Sequence, residues 1–169
     1  MLYPLSYRGM EKAIVTNFRS DSALATMEHG LDHAIVSVMD TKTILENTRT
    51  IAVVGMSDNP DRASNEVARY LMDYYDIIPV NPNHDEILGL KCYPDLESVP
   101  VKVDMVDVFQ RDENVPQFVE PAIAIGAKVF WMQLGIKNEE AARRLAAAGI
   151  EVVQDRCTKI EHTRMLAGR

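Results

Sequence analysis

Residues 50–64, TIAVVGMSDNPDRAS, contain the pattern from which the rest of the fold follows. The apolar run from Ile51 to Val54 stops at Gly55, and a short apolar run ended by glycine is typical of a buried strand. Ser64 is a predicted N-cap, because the apolar residues beyond it recur at the three- and four-residue spacing of one helix face. The stretch therefore predicts a strand, a glycine turn and the start of a helix.

The same alternation of apolar runs and helical patterns continues to the end of the chain. Further strands are predicted over residues 77–80, 103–109, 128–132 and 150–153. Helices are predicted over residues 112–126, with Asp112 as N-cap and Gly126 as terminator, after Asn138, and from Thr158 onward. Strands that alternate with helices indicate βαβ units. The predicted fold is therefore α/β: a Rossmann-like, doubly wound, mostly parallel sheet of about five strands with helices on both faces.

The length of the chain, 169 residues, corresponds to one domain. Regular patterning begins at Thr41, so we expect a domain over residues 41–169. Residues 1–40 have polar interruptions and no sustained period, and we expect them to form an N-terminal arm. Such an arm could pack on a neighbouring subunit, which leaves a homo-oligomer or an unidentified protein partner open.

The chain is acidic, with 18 lysines and arginines against 25 aspartates and glutamates and a formal net charge of −7. This balance argues against nucleic-acid binding, which needs clustered cations, but a single anionic ligand needs only a few local ones. No apolar run approaches the roughly 20 residues that cross a bilayer, so we expect no membrane association. Two cysteines without a CxxC motif or a signal peptide favour a cytoplasmic location.

The first strand end is the most informative candidate site. In doubly wound sheets, ligands bind at the carboxyl ends of the strands, near the point where the strand order reverses. Gly55 lies at such an end, and Ser57 and Ser64 flank the start of a helix whose N-terminus attracts anions. Arg62 can add a charge-assisted contact. These residues predict a phosphate or pyrophosphate site, although they could also form only a turn and a cap with Arg62 in solvent.

Two departures argue against NAD as the ligand. The G-x-G-x-x-G fingerprint is absent, because Ser57 and Pro60 occupy the positions of its later glycines. The second strand ends in Asn81 and Pro82, where NAD sites place an acidic residue for the ribose hydroxyls. The expected ligand is therefore nucleotide-like, with its adenosine end recognised by other means.

Five segments of the chain resemble the single-domain CoA-binding protein family, which is similar to the N-terminal nucleotide domain of the succinyl-CoA synthetase alpha subunit. They are GMSDNPDRAS at 55–64, IPVNP at 78–82, VDVFQR at 106–111, WMQLGIKNEEA at 131–141 and DRC at 155–157. The resemblance runs from about Thr43 to Leu166 with consistent order and spacing, and it does not cover the arm.

The resemblance implies a site for coenzyme A or a short acyl-CoA at the carboxyl ends of the strands. The phosphate region would lie at the first turn, the adenine or ribose against the end of the second strand, and the pantetheine arm beside residues 133–136. Phe109 and Arg111 would lie against the nucleotide. The expected cofactor-binding residues are Gly55, Met56, Ser57, Arg62, Ser64, Asn81, Pro82, Phe109, Arg111, Gln133, Gly135 and Ile136.

The resemblance implies binding rather than catalysis. Succinyl-CoA synthetase uses a phosphorylated histidine in a second domain, and a chain of this length has no room for that domain. We therefore expect a non-catalytic or regulatory CoA-binding module, with no catalytic and no metal-binding residues. Two enzymatic alternatives stay open: an NAD(P)-linked oxidoreductase, and an acyl-CoA-processing subunit that works with a partner chain.

Other chemistry-bearing residues favour structural roles. His29 and His33 have i, i+4 spacing but lie in the arm, and a thiol such as Cys157 is more often incidental than reactive, although a mixed disulfide with CoA is chemically conceivable. Asp107 is expected to accept backbone N–H bonds near a strand end. Trp131, in an apolar strand, is expected in the core rather than on a ligand ring.

Overall fold

A computed structural model describes residues 39–168 of the chain. In order along the chain, the elements are α1 (Thr41–Glu46), β1 (Thr50–Val54), α2 (Ala63–Leu71), β2 (Asp76–Val80), β3 (Glu86–Ile87), β4 (Leu90–Lys91), β5 (Met105–Val108), a 3-10 helix (Asp112–Phe118), α3 (Val119–Ala124), β6 (Val129–Met132), α4 (Glu139–Ala147), β7 (Glu151–Val153) and α5 (Thr158–Ala167). The predicted arm, with His29 and His33, lies outside the described residues except for its last two positions.

The main sheet contains five strands in the order β2-β1-β5-β6-β7, and every neighbouring pair is parallel. The order reverses between β1 and β5, which makes the sheet doubly wound and confirms the predicted α/β fold. After the carboxyl ends of these two adjacent strands, the chain continues to helices on opposite faces of the sheet. A crevice is expected at this point.

Two hydrophobic layers cover the sheet, because successive strand residues point to opposite faces. One layer joins Ala52 and Val54 of β1 to the buried faces of α3 and α4. The other joins Ile51 and Val53 of the same strand to α1, α2 and α5. Trp131 belongs to the second layer, is fully buried and donates its indole N–H to the Arg156 carbonyl at 2.6 Å, which confirms its core position.

The prediction of one continuous helix over residues 112–126 is wrong. The structure has a 3-10 helix over Asp112–Phe118 and a short α-helix over Val119–Ala124. Pro116 and Pro121 lack the N–H that a continuous helix would use, and Pro121 is tolerated because it lies in the first turn of α3. Asp112 is not the N-cap; its Oδ1 instead accepts the Lys137 N–H at 3.2 Å.

The cap predicted at Ser64 is also wrong. The N-cap position of α2 is Arg62, in an extended conformation and without a side-chain cap, and Ser64 is the second residue of the helix. By contrast, Asn138 caps α4 as predicted, since its side chain accepts the Ala141 N–H. The small hairpin of β3 and β4 has too few residues for a recognisable alternation.

Candidate functional site

The turn after β1 brings two chain segments unusually close together. Gly55 has a φ of +77°, a conformation that side chains rarely adopt, and its N–H donates to the Val80 carbonyl at 2.9 Å. A Cβ at this position would overlap the Phe109 carbonyl oxygen and lie 2.7 Å from Gln110 Nε2. The absence of a side chain at Gly55 therefore allows the ends of β1 and β5 to meet at the switch point.

Side chains of the following loop fix its path to the N-terminus of α2. Ser64 Oγ accepts the Ser57 N–H at 3.1 Å, and Asn65 Nδ2 donates to the Ser57 carbonyl at 2.8 Å. Ser57 Oγ in turn accepts the Asn59 N–H at 3.2 Å. The first N–H groups of α2 have no acceptor within the helix, so they are available to an anion at this end.

The α2 cavity, of about 510 Å³, lies between this loop and the end of β5. It is lined by Gly55, Ser57, Arg62, Ala63, Ser64, Phe109, Gln110, Arg111 and Ile136. No described residue forms an ion pair or hydrogen bond with the Arg62 guanidinium. Arg111 has only a loose, exposed pairing with Glu113 at 3.8 Å. The cavity thus combines a helix N-terminus, serine hydroxyls and two cations, which together suit a phosphate.

The β2 cavity, of about 480 Å³, lies on the other side of Gly55. Its lining comprises Val54, Gly55, Val80, Asn81, Pro82, Asn83, Pro94, Asp95, Leu96, Gln110, Gln117, Phe118 and Pro121. Asn81 Nδ2 donates to the Met56 carbonyl at 2.8 Å, which ties the end of β2 to the glycine turn. Gly55 and Gln110 line both cavities, so a ligand lying across Gly55 can occupy both.

The structure brings nine of the twelve expected cofactor-binding residues to these two cavities and leaves three apart. Met56 is fully buried, so only its backbone lies near the crevice. Gly135 lies in the turn after β6, with a φ of +82°, and its N–H donates to Asp155 Oδ1 at 2.7 Å. The Gln133 side chain points into the protein rather than into either cavity.

Gln133 instead belongs to a buried cluster with Asp107 and Thr158. Its Nε2 lies 2.8 Å and 2.9 Å from the two carboxylate oxygens of Asp107, and Thr158 Oγ1 donates to Oδ2 at 3.2 Å. The expectation that Asp107 accepts backbone N–H bonds is therefore wrong, because its carboxyl meets side-chain donors. Burial raises the pKa of Asp107 to about 7, and these two neutral donors offset the effect only in part.

The backbone N–H bonds expected at Asp107 are found at Asp104. Asp104 Oδ2 accepts the N–H groups of Arg49 and Thr50 at 3.1 Å and 3.2 Å, and Oδ1 pairs with Lys128 Nζ at 2.9 Å. These donors and the cation hold the pKa of Asp104 below its usual value despite the opposing effect of burial. The two aspartates therefore tie together different ends of the sheet.

Sequence reasoning missed several lining residues, of which Gln110 is the most informative. Its side chain reaches both cavities, and within residues 39–168 no hydrogen bond engages its amide. Its position directly after Phe109 at a strand end was an available signal. Gln117, Phe118 and Pro121 also line the β2 cavity, but their sequence pattern resembled only the inner face of a helix.

Metal and membrane features can be stated for residues 39–168. No group of three or more histidine, cysteine or acidic side chains there could hold a metal ion. No helix in that range has the length and apolarity to cross a bilayer. Both cysteines are free thiols, with Cys92 buried and Cys157 partly exposed.

The sequence profile of a family described as the CoA binding domain matches residues 49–163. The chain belongs to this family. The matched segment includes every strand of the parallel sheet and every residue that lines the α2 and β2 cavities.

Relatives of this family member include both small proteins and much longer ligases. YneT of Bacillus subtilis is 43% identical over 127 residues, which cover 75% of this chain and 94% of that protein. A solved hypothetical protein from Pyrococcus horikoshii is 40% identical with a TM-score of 0.74, covering 83% of this chain and 99% of that one. Acetate–CoA ligase [ADP-forming] I of Archaeoglobus fulgidus is 27% identical over 128 residues, which are 68% of this chain but 18% of the ligase.

Proposed function

We propose that the protein binds coenzyme A, or a short acyl-CoA, across Gly55 at the carboxyl ends of the parallel strands. In this proposal it is a binding or regulatory module without catalysis of its own. The observation that carries the proposal is the pair of cavities that share Gly55 and Gln110, one of them built for an anion.

The α2 cavity supports a pyrophosphate. The N–H groups at the start of α2, and Arg62, whose guanidinium has no partner among residues 39–168, supply oriented donors and positive charge in a chain of net charge −7. Ser57 and Ser64 each accept a backbone N–H through the hydroxyl oxygen, so each hydroxyl proton is still available to a phosphate oxygen.

The β2 cavity supports the adenosine end of the same ligand. Its walls combine apolar surfaces of Leu96, Phe118 and Pro121 with the amides of Gln110 and Gln117. A mixed lining of this kind suits an aromatic base, which needs apolar contact on its faces and hydrogen bonds at its edge.

The end of β2 favours CoA over NAD. An NAD site needs a carboxylate there for the ribose hydroxyls, whereas this position is Asn81, whose amide is engaged with Met56. The acid that lines the β2 cavity is Asp95, and its Oδ1 already accepts the Ser98 N–H and hydroxyl, each at 2.7 Å. This acid lies in the loop after β4 rather than at the end of β2, where an NAD site places its carboxylate.

Calorimetric titration of the full chain with CoA, NAD and ATP tests the proposal. We expect CoA to bind most tightly, and Arg62→Ala to weaken CoA binding by about tenfold through loss of a charge-assisted bond. Arg143→Ala is the matched control, since Arg143 is exposed on α4 and lines neither cavity. CoA binding no tighter than NAD binding would overturn the proposal.

The proposal assigns CoA binding to residues 41–169 and an assembly role to the arm, residues 1–40. The mass in solution of the full chain and of a variant that lacks residues 1–39 tests this assignment. A smaller assembly in the shortened chain supports the arm's role, and an unchanged assembly state rejects it.

We also propose a cytoplasmic location, since both thiols are free. Detection of the protein mainly outside the cytoplasmic cell fraction would contradict this location.

A second candidate is an acyl-CoA-processing subunit that acts with a partner chain. It is favoured by one observation: parts of this chain match 18% of the Archaeoglobus fulgidus ligase and 16% of the alpha subunit of an acetate–CoA ligase [ADP-forming] II from Pyrococcus furiosus. Such a protein would supply the CoA site and its partner the catalytic groups. Purification from its own cells with a stoichiometric second chain, and acyl-CoA turnover only in that complex, would favour this candidate.

A further inference from the structure

A third cavity, the α5 cavity of about 520 Å³, lies beside the ends of β6 and β7. It is lined by Leu134, Lys137, Glu139, Gln154, Asp155, Arg156, Cys157, Ile160, Glu161 and Arg164. Its walls differ from those of the other two cavities in carrying three cationic and three acidic side chains. Leu134 and Ile160 add exposed apolar surface, with 65% and 44% of their area in contact with solvent.

The charges in this cavity are unevenly paired. Arg156 Nη1 and Arg164 Nη1 lie 3.5 Å and 2.6 Å from the same oxygen, Glu161 Oε1. The other oxygen of Glu161 accepts the Thr41 hydroxyl at 2.8 Å, so this buried carboxylate has a partner on both oxygens. Two guanidinium groups thus share one carboxylate, and most of their N–H donors have no acceptor among residues 39–168.

The remaining charges of the lining are satisfied elsewhere. Lys137 Nζ pairs with Asp155 Oδ2 at 3.1 Å. Glu139 lies at the first position of α4, where the helix N-terminus favours a negative charge, and its Oε1 accepts Gln154 Nε2 at 3.2 Å. The cavity as a whole therefore carries no net charge, but its guanidinium groups lie together at Arg156 and Arg164, whose side chains are 53% and 68% exposed.

The α5 cavity and the α2 cavity lie on the two sides of one turn. Ile136 lines the α2 cavity, while its neighbours Leu134 and Lys137 line the α5 cavity. Asp155 holds this turn, because its N–H donates to the Ile136 carbonyl at 3.1 Å and its Oδ1 accepts the Gly135 N–H at 2.7 Å. A ligand with its pyrophosphate at α2 can thus extend over the turn and end beside the two arginines.

We propose that Arg156 and Arg164 bind the terminal carboxylate of a dicarboxylic acyl-CoA, so that the protein prefers such thioesters to those with aliphatic acyl groups. A carboxylate is planar and matches the parallel N–H donors of a guanidinium. An aliphatic chain offers those donors no acceptor, so its binding would add no hydrogen bond at the two arginines. The proposal rests on the proposed function, since it needs CoA in the α2 cavity.

Calorimetric titration with glutaryl-CoA and pentanoyl-CoA tests the preference, because the two acyl groups have the same chain length and differ at the terminal carboxylate. We expect glutaryl-CoA to bind wild type about tenfold more tightly than pentanoyl-CoA. Arg164→Ala should reduce this ratio toward one. Arg143→Ala should keep it, since Arg143 lies on α4 outside all three cavities.

Each outcome decides between the two proposals. Equal binding of the two thioesters by wild type, or a preference for glutaryl-CoA that persists in Arg164→Ala, overturns the proposed contact with the acyl carboxylate. In either case, binding of CoA itself still supports the proposed function. Failure of CoA to bind wild type overturns both. If Arg164→Ala does not fold, the methyl ester of glutaryl-CoA serves as the second probe. It should bind wild type about as weakly as pentanoyl-CoA does. If it binds as tightly as glutaryl-CoA, the contact between the carboxylate and the arginines is rejected.

Discussion

Replacing Asp107 with asparagine is expected to remove a specific pH dependence from the stability of the protein. The carboxyl is fully buried, and its pKa is raised from 3.8 to about 7 because burial outweighs the hydrogen bonds from Gln133 and Thr158. The amide oxygen of asparagine can still accept from Gln133, and its N–H can donate to the Thr158 hydroxyl. The substitution therefore keeps the shape of the cluster and removes its ionisation.

The sign and size of the effect follow from linkage. The unfolded carboxyl loses its proton near its ordinary pKa of 3.8, whereas the native carboxyl keeps it until about pH 7. Between these values the native state binds more protons, so its stability falls as the pH rises. A tenfold difference in proton affinity corresponds to about 1.4 kcal/mol, which gives wild type a loss of up to about 4 kcal/mol across this window.

Urea denaturation of wild type and Asp107→Asn at pH 4 and pH 8 measures this loss. The other carboxyls contribute to both proteins alike, so the difference between the two pH dependences isolates Asp107. We expect wild type to lose up to about 4 kcal/mol more than the variant between the two pH values. Parallel pH dependences, or a variant that loses more than wild type, would refute the assignment of a proton to the buried carboxyl.

Substitutions at three further positions test the crevice and the sheet. Asp104→Asn should be less stable than wild type by about 1 kcal/mol at pH 7. The difference should vanish as the pH falls through the lowered pKa of Asp104, and a difference that stays constant with pH in urea titrations would contradict this. Gly55→Ala should lose about 1–3 kcal/mol of unfolding free energy, since φ is +77° and a Cβ would overlap the Phe109 carbonyl oxygen. An unchanged midpoint of urea denaturation would refute the close approach of Gly55 to Phe109. Gln110→Glu should weaken CoA binding more than Gln110→Met, which has a side chain of similar size, because glutamate places a negative charge beside the bound phosphates. Equal calorimetric affinities of the two variants for CoA would show that Gln110 does not lie beside the ligand.

The strands were predictable because each apolar run is bounded by glycine, proline or polar residues, and their parallel arrangement was predictable because helices alternate with them. The run Ile51 to Val54, stopped by Gly55, predicts a buried strand and a turn, and both are found. Helix starts and ends were less predictable. Ser64 has the chemistry of a cap, but its hydroxyl accepts the Ser57 N–H seven residues earlier rather than an N–H of the first turn of α2.

The candidate site was predictable at the strand ends and less so between them. Gly55, Ser57, Arg62 and Ser64 come together because they are close in sequence and surround one helix start. Gln133 also follows a strand, but its amide turns inward because the carboxyl group of Asp107, on the neighbouring strand, lies buried without a backbone donor. A tertiary contact of this kind leaves no periodic signal along the chain.

The crystal structure of the full chain bound to CoA tests the central claim most directly. The account predicts the pyrophosphate at the N-terminus of α2 within reach of Arg62, with the nucleotide passing over Gly55 beside Gln110. The adenine should lie in the β2 cavity between Asn81 and Phe118. CoA bound away from Gly55, or bound there with its pyrophosphate outside the α2 cavity, would contradict the account.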